Sequence, residues 1–149
     1  MKSEELVILL AEDDEGHAYL IRQNLLEAGM ANRIDHVPNG RAALDYIRCR
    51  GPYAERVPGG PLLVLLDINM PLADGIEVLQ ELKSDPATDQ LPVIMLTTTD
   101  DPREVQRCYD LGCSCYVTKP VDYDRFVEAI RRLGLFLAIV QVPREGARA

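Results

Sequence analysis

Apolar residues along this chain gather into short unbroken runs, and the stretches between them repeat with helical period. LVILLA (6–11), LLVLL (62–66) and LPVIML (91–96) are runs with little or no polar alternation. Strands of that kind are covered on both faces, as in a parallel sheet. NRIDHV (32–37) makes a weaker, more polar strand, expected nearer the sheet edge, and SCYVT (114–118) a fifth. Between them, Ala18, Ile21, Leu25 and Ala28 share one helical face that closes at Gly29. Asn39-Gly40 opens a second helix carrying Ala43, Leu44 and Ile47. Ile76, Leu79 and Leu82 mark a third, and Val105, Cys108 and Leu111 a fourth, closed by Gly112. Tyr123, Phe126, Val127, Ile130 and Leu133 mark the last. RGPYAERVPGGP (50–61) is the one long loop. Five β–α units without repeat or internal linker predict an α/β fold, a doubly wound parallel sheet with right-handed crossovers and helices on both faces. In such sheets the working crevice lies outside the carboxyl ends of the strands.

The strand ends are therefore the place to look for chemistry. In order they are Glu12-Asp13-Asp14, Asp67, Thr97-Thr98 and Lys119-Pro120. A lone aspartate ending a strand reads first as a turn or cap residue. Four strand ends that deliver acids, an acid, a hydroxyl and a lysine to one cleft read differently. Two carboxylates about 4 Å apart repel by roughly 4 kcal/mol at an effective dielectric near 20, so cations must join them. Lys119 supplies one charge, and a hard divalent ion such as Mg²⁺ is the natural second. Mg²⁺ takes oxygen ligands, keeps several waters and often binds one or two carboxylates plus a phosphate. The constellation points to a Mg²⁺-assisted phosphoryl site.

At these residues the chain resembles the receiver domains of two-component response regulators, the CheY-like proteins. AEDD matches their acidic pair, LLDINMPLADG the phosphoacceptor segment, MLTTTD the hydroxyl switch and CYVTKP the lysine segment. The resemblance implies the flavodoxin-like strand order 2-1-3-4-5 and a receiver domain over residues 4–133. It implies phosphorylation of Asp67, expected at a rigid, exposed strand end. Asp13 and Asp67 would hold Mg²⁺ by carboxylate oxygens, Glu12 through water and Asn69 by its backbone carbonyl. Lys119 would pair with the acyl phosphate and Thr97 would hydrogen-bond it. Tyr116 takes the aromatic switch position, and Pro120 follows a cis peptide bond. Asp14 is an additional acid next to the pair whose role the resemblance leaves open, a cap of the first helix being one reading. A sensor histidine kinase is the implied partner. A receiver is no enzyme in the usual sense, although it assists its own phosphorylation and dephosphorylation.

Composition narrows the alternatives. Acids outnumber bases 24 to 16, a formal charge of −8, which argues against a nucleic-acid surface. No apolar run suits a signal peptide or a membrane span, so a cytoplasmic protein is expected. Cys49, Cys108, Cys113 and Cys115 form no C-x-x-C pair and read as small buried thiols rather than zinc ligands. His17 and His36 lack a Ser or Cys nucleophile pattern. A flavodoxin-like nucleotide binder would need phosphate-cradling amides after the first strand, where AEDDEGH offers acids. A haloacid-type aspartyl-phosphate hydrolase would want an acid at position 69, which is Asn.

Residues 134–149 are expected to extend the last helix and form a tail, too short for an output domain, so the signal should leave through protein–protein contacts. The alternative is a shuttle in a phosphorelay. Leu135, Phe136, Leu137, Ile139, Val140 and Val142 exceed what one helical stripe can bury and predict a homodimer through the last helix. The long loop and the tail FLAIVQVP resemble, more loosely, the stand-alone regulators paired with bacterial phytochromes.

Overall fold

A computed structural model of the chain describes residues 6–27, 32–97 and 101–118. Its elements are β1 (Val7–Ala11), α1 (Glu15–Glu27), β2 (Ile34–Val37), α2 (Gly40–Ile47), a 3₁₀ turn (Gly51–Tyr53), β3 (Leu62–Asp67), α3 (Gly75–Ser84), β4 (Val93–Thr97), α4 (Pro102–Asp110) and β5 (Cys115–Thr118). The expected last helix, the extension and tail, and the end of α1 at Ala28-Gly29 lie outside the described residues.

All neighbouring strands are parallel and run in the order β2-β1-β3-β4-β5. The polar strand is at the edge, and β3, buried along its whole length, is at the centre. The unbroken apolar runs are explained by what covers them. Ile8, Leu10, Leu63, Leu65, Ile94, Leu96 and Val117 face Ala18, Ile21 and Leu25 of α1. The alternate residues Leu9, Leu62, Val64, Val93 and Met95 face Ala43, Leu44 and Ile47 of α2, Val78, Leu79 and Leu82 of α3, and Cys108 of α4. Each fully buried aliphatic side chain contributes about 1.5–3 kcal/mol of transfer free energy, so this two-sided sheet dominates stability. In α4 only Cys108 is fully buried, while Val105 and Leu111 are half-buried.

Local signals place the helix starts. Asn39 caps α2 by accepting the Ala42 N–H at 2.7 Å. Asp74 and Glu77 form a reciprocal capping box at α3, and Asp101 precedes Pro102 at the start of α4. β4 begins at Val93 rather than at residue 91, because Pro92 has no N–H to give to a ladder. All four cysteines are free, and Cys108 and Cys113 are buried. Burial pushes the Cys113 thiol up to about 12, which leaves it protonated and unreactive.

The long loop folds onto α2 and the sheet edge. Tyr46 and Tyr53 meet edge to face with ring centres 5.5 Å apart, and the Arg56 guanidinium lies 4.0 Å above the Tyr46 ring. The Tyr46 hydroxyl donates to Asp35 at 2.6 Å, and Arg33 reaches the other oxygen of Asp35 at 3.0 Å. A cavity of about 570 Å³ lies between this cluster, Val57 and Pro61.

Candidate functional site

β1 and β3 are neighbours, and their last paired residues are Ala11 and Leu66. One step further along each strand stand Glu12 and Asp67. Both continue the column of side chains that faces α1, at the level where that column runs out of helix to pack on. The sheet thus delivers two carboxylates side by side at its carboxyl end. Asp13 joins them from the bend after β1, and carboxylate oxygens of Glu12, Asp13 and Asp67 lie within 4.8 Å of one another. Glu12 is wholly buried and Asp13 is exposed.

Asp67 is only 4% exposed, whereas an exposed strand end was expected. Two features account for this. Asp67 is still within the ladder, where it stands opposite Leu96 of β4. The chain beyond it then folds straight back, since the Gly75 N–H donates to Ile68 O at 2.8 Å and Gly75 packs on the backbone of Asp67 and Ile68.

The other predicted residues fall into place unevenly. Asp14 caps α1, accepting the His17 N–H at 2.9 Å, and its own N–H donates to Glu12 Oε2 at 3.2 Å. Asn69 lies exposed in the bend after β3. Tyr116 is half-buried in β5 opposite Met95 and packs against the α2–α3 side of the core. Thr97 ends β4 opposite Thr118, the residue that precedes Lys119. The Thr97 side chain, Lys119 and Pro120 lie outside the described residues.

Two histidines were missed as neighbours of the site. His36 Nε2 is 2.7 Å from the backbone oxygen of Glu12, which ties β2 to the acidic strand end. His17 Nδ1 is 3.8 Å from Glu12 Oε2. A signal for His17 was present, since it is the third residue after the cap Asp14 and therefore in the first helical turn above the acids.

Comparison with known proteins places this geometry. The profile of the response regulator receiver domain matches residues 8–131. The chain belongs to that family. A receiver domain from Rhodospirillum rubrum, solved by crystallography, is 48% identical, with TM-score 0.78 over 95% of this chain and 99% of that one. Response regulator Rcp1 of Synechocystis is 37% identical over 113 residues, 76% of either protein. A crystal structure of the Mn²⁺-bound form of response regulator Rcp1 aligns with TM-score 0.75 and 31% identity over 92% of this chain and 98% of that one. The bacteriophytochrome response regulator RtBRR aligns with TM-score 0.80 and 36% identity over 97% and 86%. This receiver domain is thus a phosphoryl-accepting module of two-component signalling, and receiver domains are signalling proteins rather than classical enzymes. Among the described residues no helix is long and apolar enough to cross a membrane.

Proposed function

We propose that this receiver takes a phosphoryl group onto Asp67 from the phosphohistidine of a sensor histidine kinase, with Mg²⁺ bound at the acidic cluster. The observation that carries the reading is the approach of the Glu12, Asp13 and Asp67 carboxylates at the ends of β1 and β3. An all-oxygen donor set that includes an exposed acid fits a hard divalent ion that keeps part of its water shell. The Mn²⁺-bound form of Rcp1 supports the same reading. Asp13 and Asp67 would hold the ion directly, Glu12 through water, and Asn69 through its backbone carbonyl. The bound ion would supply positive charge that offsets the approach of an anionic phosphoryl group to anionic carboxylates.

The residues of the chain do the rest. An Asp67 carboxylate oxygen forms the new O–P bond as the P–N bond to the donor imidazole breaks, and the imidazole leaves. Burial of Asp67 in the ladder fixes the line of attack, which is where phosphoryl transfer gains most from a protein. Thr97 and Lys119 would bind the phosphoryl oxygens, and Tyr116 would follow Thr97 inward on switching. A cis bond before Pro120 would aim Lys119. The phosphorylated state signals by protein–protein contact in the cytoplasm. Likeness to the bacteriophytochrome response regulator RtBRR favours a phytochrome as the kinase, and the apolar sequence beyond Gly134 favours a homodimer through the last helix.

Acetyl phosphate or phosphoramidate with Mg²⁺ should add one phosphoryl group, seen by intact mass, and Asp67→Asn should take up none. Equal labelling of the variant overturns the assignment.

A further inference from the structure

The bend that carries Asn69 is held from two sides, and one of the holds comes from α2. Gly40 is the first residue of α2 and is buried. A Cβ at that position would overlap the carbonyl oxygen of Ala73 and stand 2.8 Å from both its carbonyl carbon and its Cβ. Two of those three atoms are backbone, so no side-chain rotation relieves the overlap. Nor can α2 retreat, since Asn39 caps it and Ala43, Leu44, Tyr46 and Ile47 anchor it in the core. A larger residue at position 40 must therefore push the loop. The Gly40 N–H also points at the oxygen of Pro71, 3.4 Å away.

The loop has little slack to absorb such a push. Leu72 has φ 64° and Ala73 φ 154°, both in the region that side chains other than glycine rarely adopt. At its far end, a Cβ on Gly75 would stand 2.8 Å from Ile68 Cα, so the turn is closed tightly onto the strand end. Residues 68–75 are thus locked to Asp67 at one end and wedged against α2 at Ala73, with Asn69 between.

We propose that Gly40 is a positioning residue for the acceptor site: by admitting the Ala73 carbonyl against α2, it sets the shape of the 68–75 loop and so the placement of the Asn69 carbonyl and the Asp67 carboxylate. The role rests on the metal and acceptor reading above. Gly40 touches neither phosphate nor metal and acts only through the loop.

The test is a Mg²⁺ titration followed by amide NMR, with phosphoryl uptake from acetyl phosphate alongside. Gly40→Ala should weaken Mg²⁺ affinity at least tenfold and slow uptake, and it should also lower the thermal midpoint, because the added Cβ meets the backbone of Ala73. Gly40→Ala combined with Ala73→Gly should recover most of the affinity, since glycine at 73 accepts the positive φ and lets the carbonyl turn aside. A folded Gly40→Ala protein with wild-type affinity overturns the proposal, as does a double variant no better than the single one. The wild-type titration decides the matter even where a variant fails to fold. The Gly40 amide should shift with the same midpoint as those of Asp13 and Ile68, and an unmoved Gly40 amide overturns its role. If the amides of Asp13 and Ile68 also stay unmoved, the metal reading itself has failed, and the Gly40 proposal falls with it.

Discussion

Two clusters of charged side chains in this protein are built on opposite logic. At the carboxyl ends of β1 and β3, Glu12, Asp13 and Asp67 bring like charges together within 4.8 Å. At the β2 edge, Asp35 meets Arg33 and the Tyr46 hydroxyl, and Arg56 covers the Tyr46 ring. The second cluster satisfies its charges with its own neighbours, and so it serves the fold by fastening the long loop and α2 to the sheet edge. The first gathers three carboxylates at one strand end, and their mutual repulsion opposes folding even though Glu12 also accepts the Asp14 N–H. Local consistency marks the region that fastens the fold, and local conflict marks the one proposed as the acceptor site.

Substitutions should separate the two regions. The largest effect is expected from Asp13→Ala, which should lower Mg²⁺-dependent phosphoryl uptake at least ~100-fold, about 2.7 kcal/mol in transition-state stabilisation. Chemical denaturation without divalent ions should show the same variant unchanged or more stable, since repulsion among carboxylates is relieved. A loss of stability comparable to the loss of uptake would break the contrast.

Asp35→Ala should do the reverse. It leaves the buried Tyr46 hydroxyl without its acceptor and should cost about 2–3 kcal/mol in urea denaturation. Uptake rates should stay near wild type.

Alkaline pH offers a third separation. Burial, and then the hydrogen bond to Asp35, push the Tyr46 phenol up to about 12 from its ordinary value of 10.0. A group raised in the folded state contributes stability that is fully present below the unfolded pKa. That stability is lost as pH rises through the folded one. Stability should therefore fall by on the order of 2 kcal/mol between pH 10 and 12, over and above the slope seen in Tyr46→Phe. Parallel stability–pH curves for the two proteins would show that the phenol is not held this way.

The smallest effect belongs to Arg33→Ala. The Arg33 side chain is 74% exposed, so its ion pair with Asp35 should contribute no more than about 0.5 kcal/mol, and high salt should erase the difference.

The fold was legible because its strongest signals are local. Apolar runs without alternation require cover on both faces, and Asn39-Gly40 marks where the second helix begins; the caps Asp74 and Asp101 came to light only in the structure. The acidic cluster was legible for a related reason, since a parallel sheet brings every strand end to the same edge, and the strand order that the resemblance implies sets β1 beside β3. The contacts of His36 with Glu12 O and of Tyr46 with Asp35 were not legible, because each joins segments whose approach depends on strand register and loop path.

The sequence by itself determined the five strands and the four helices between them, the burial of LLVLL and the identity of the acids at the strand ends, since hydrophobic period and residue chemistry act over a few neighbours. Tertiary structure alone decided that Asp67 is buried rather than exposed, that His17 lies beside Glu12, and that Gly40 must be small to let Ala73 pass. These depend on backbone segments coming within a few tenths of an ångström of contact, and close packing sets such distances only when every element is in place.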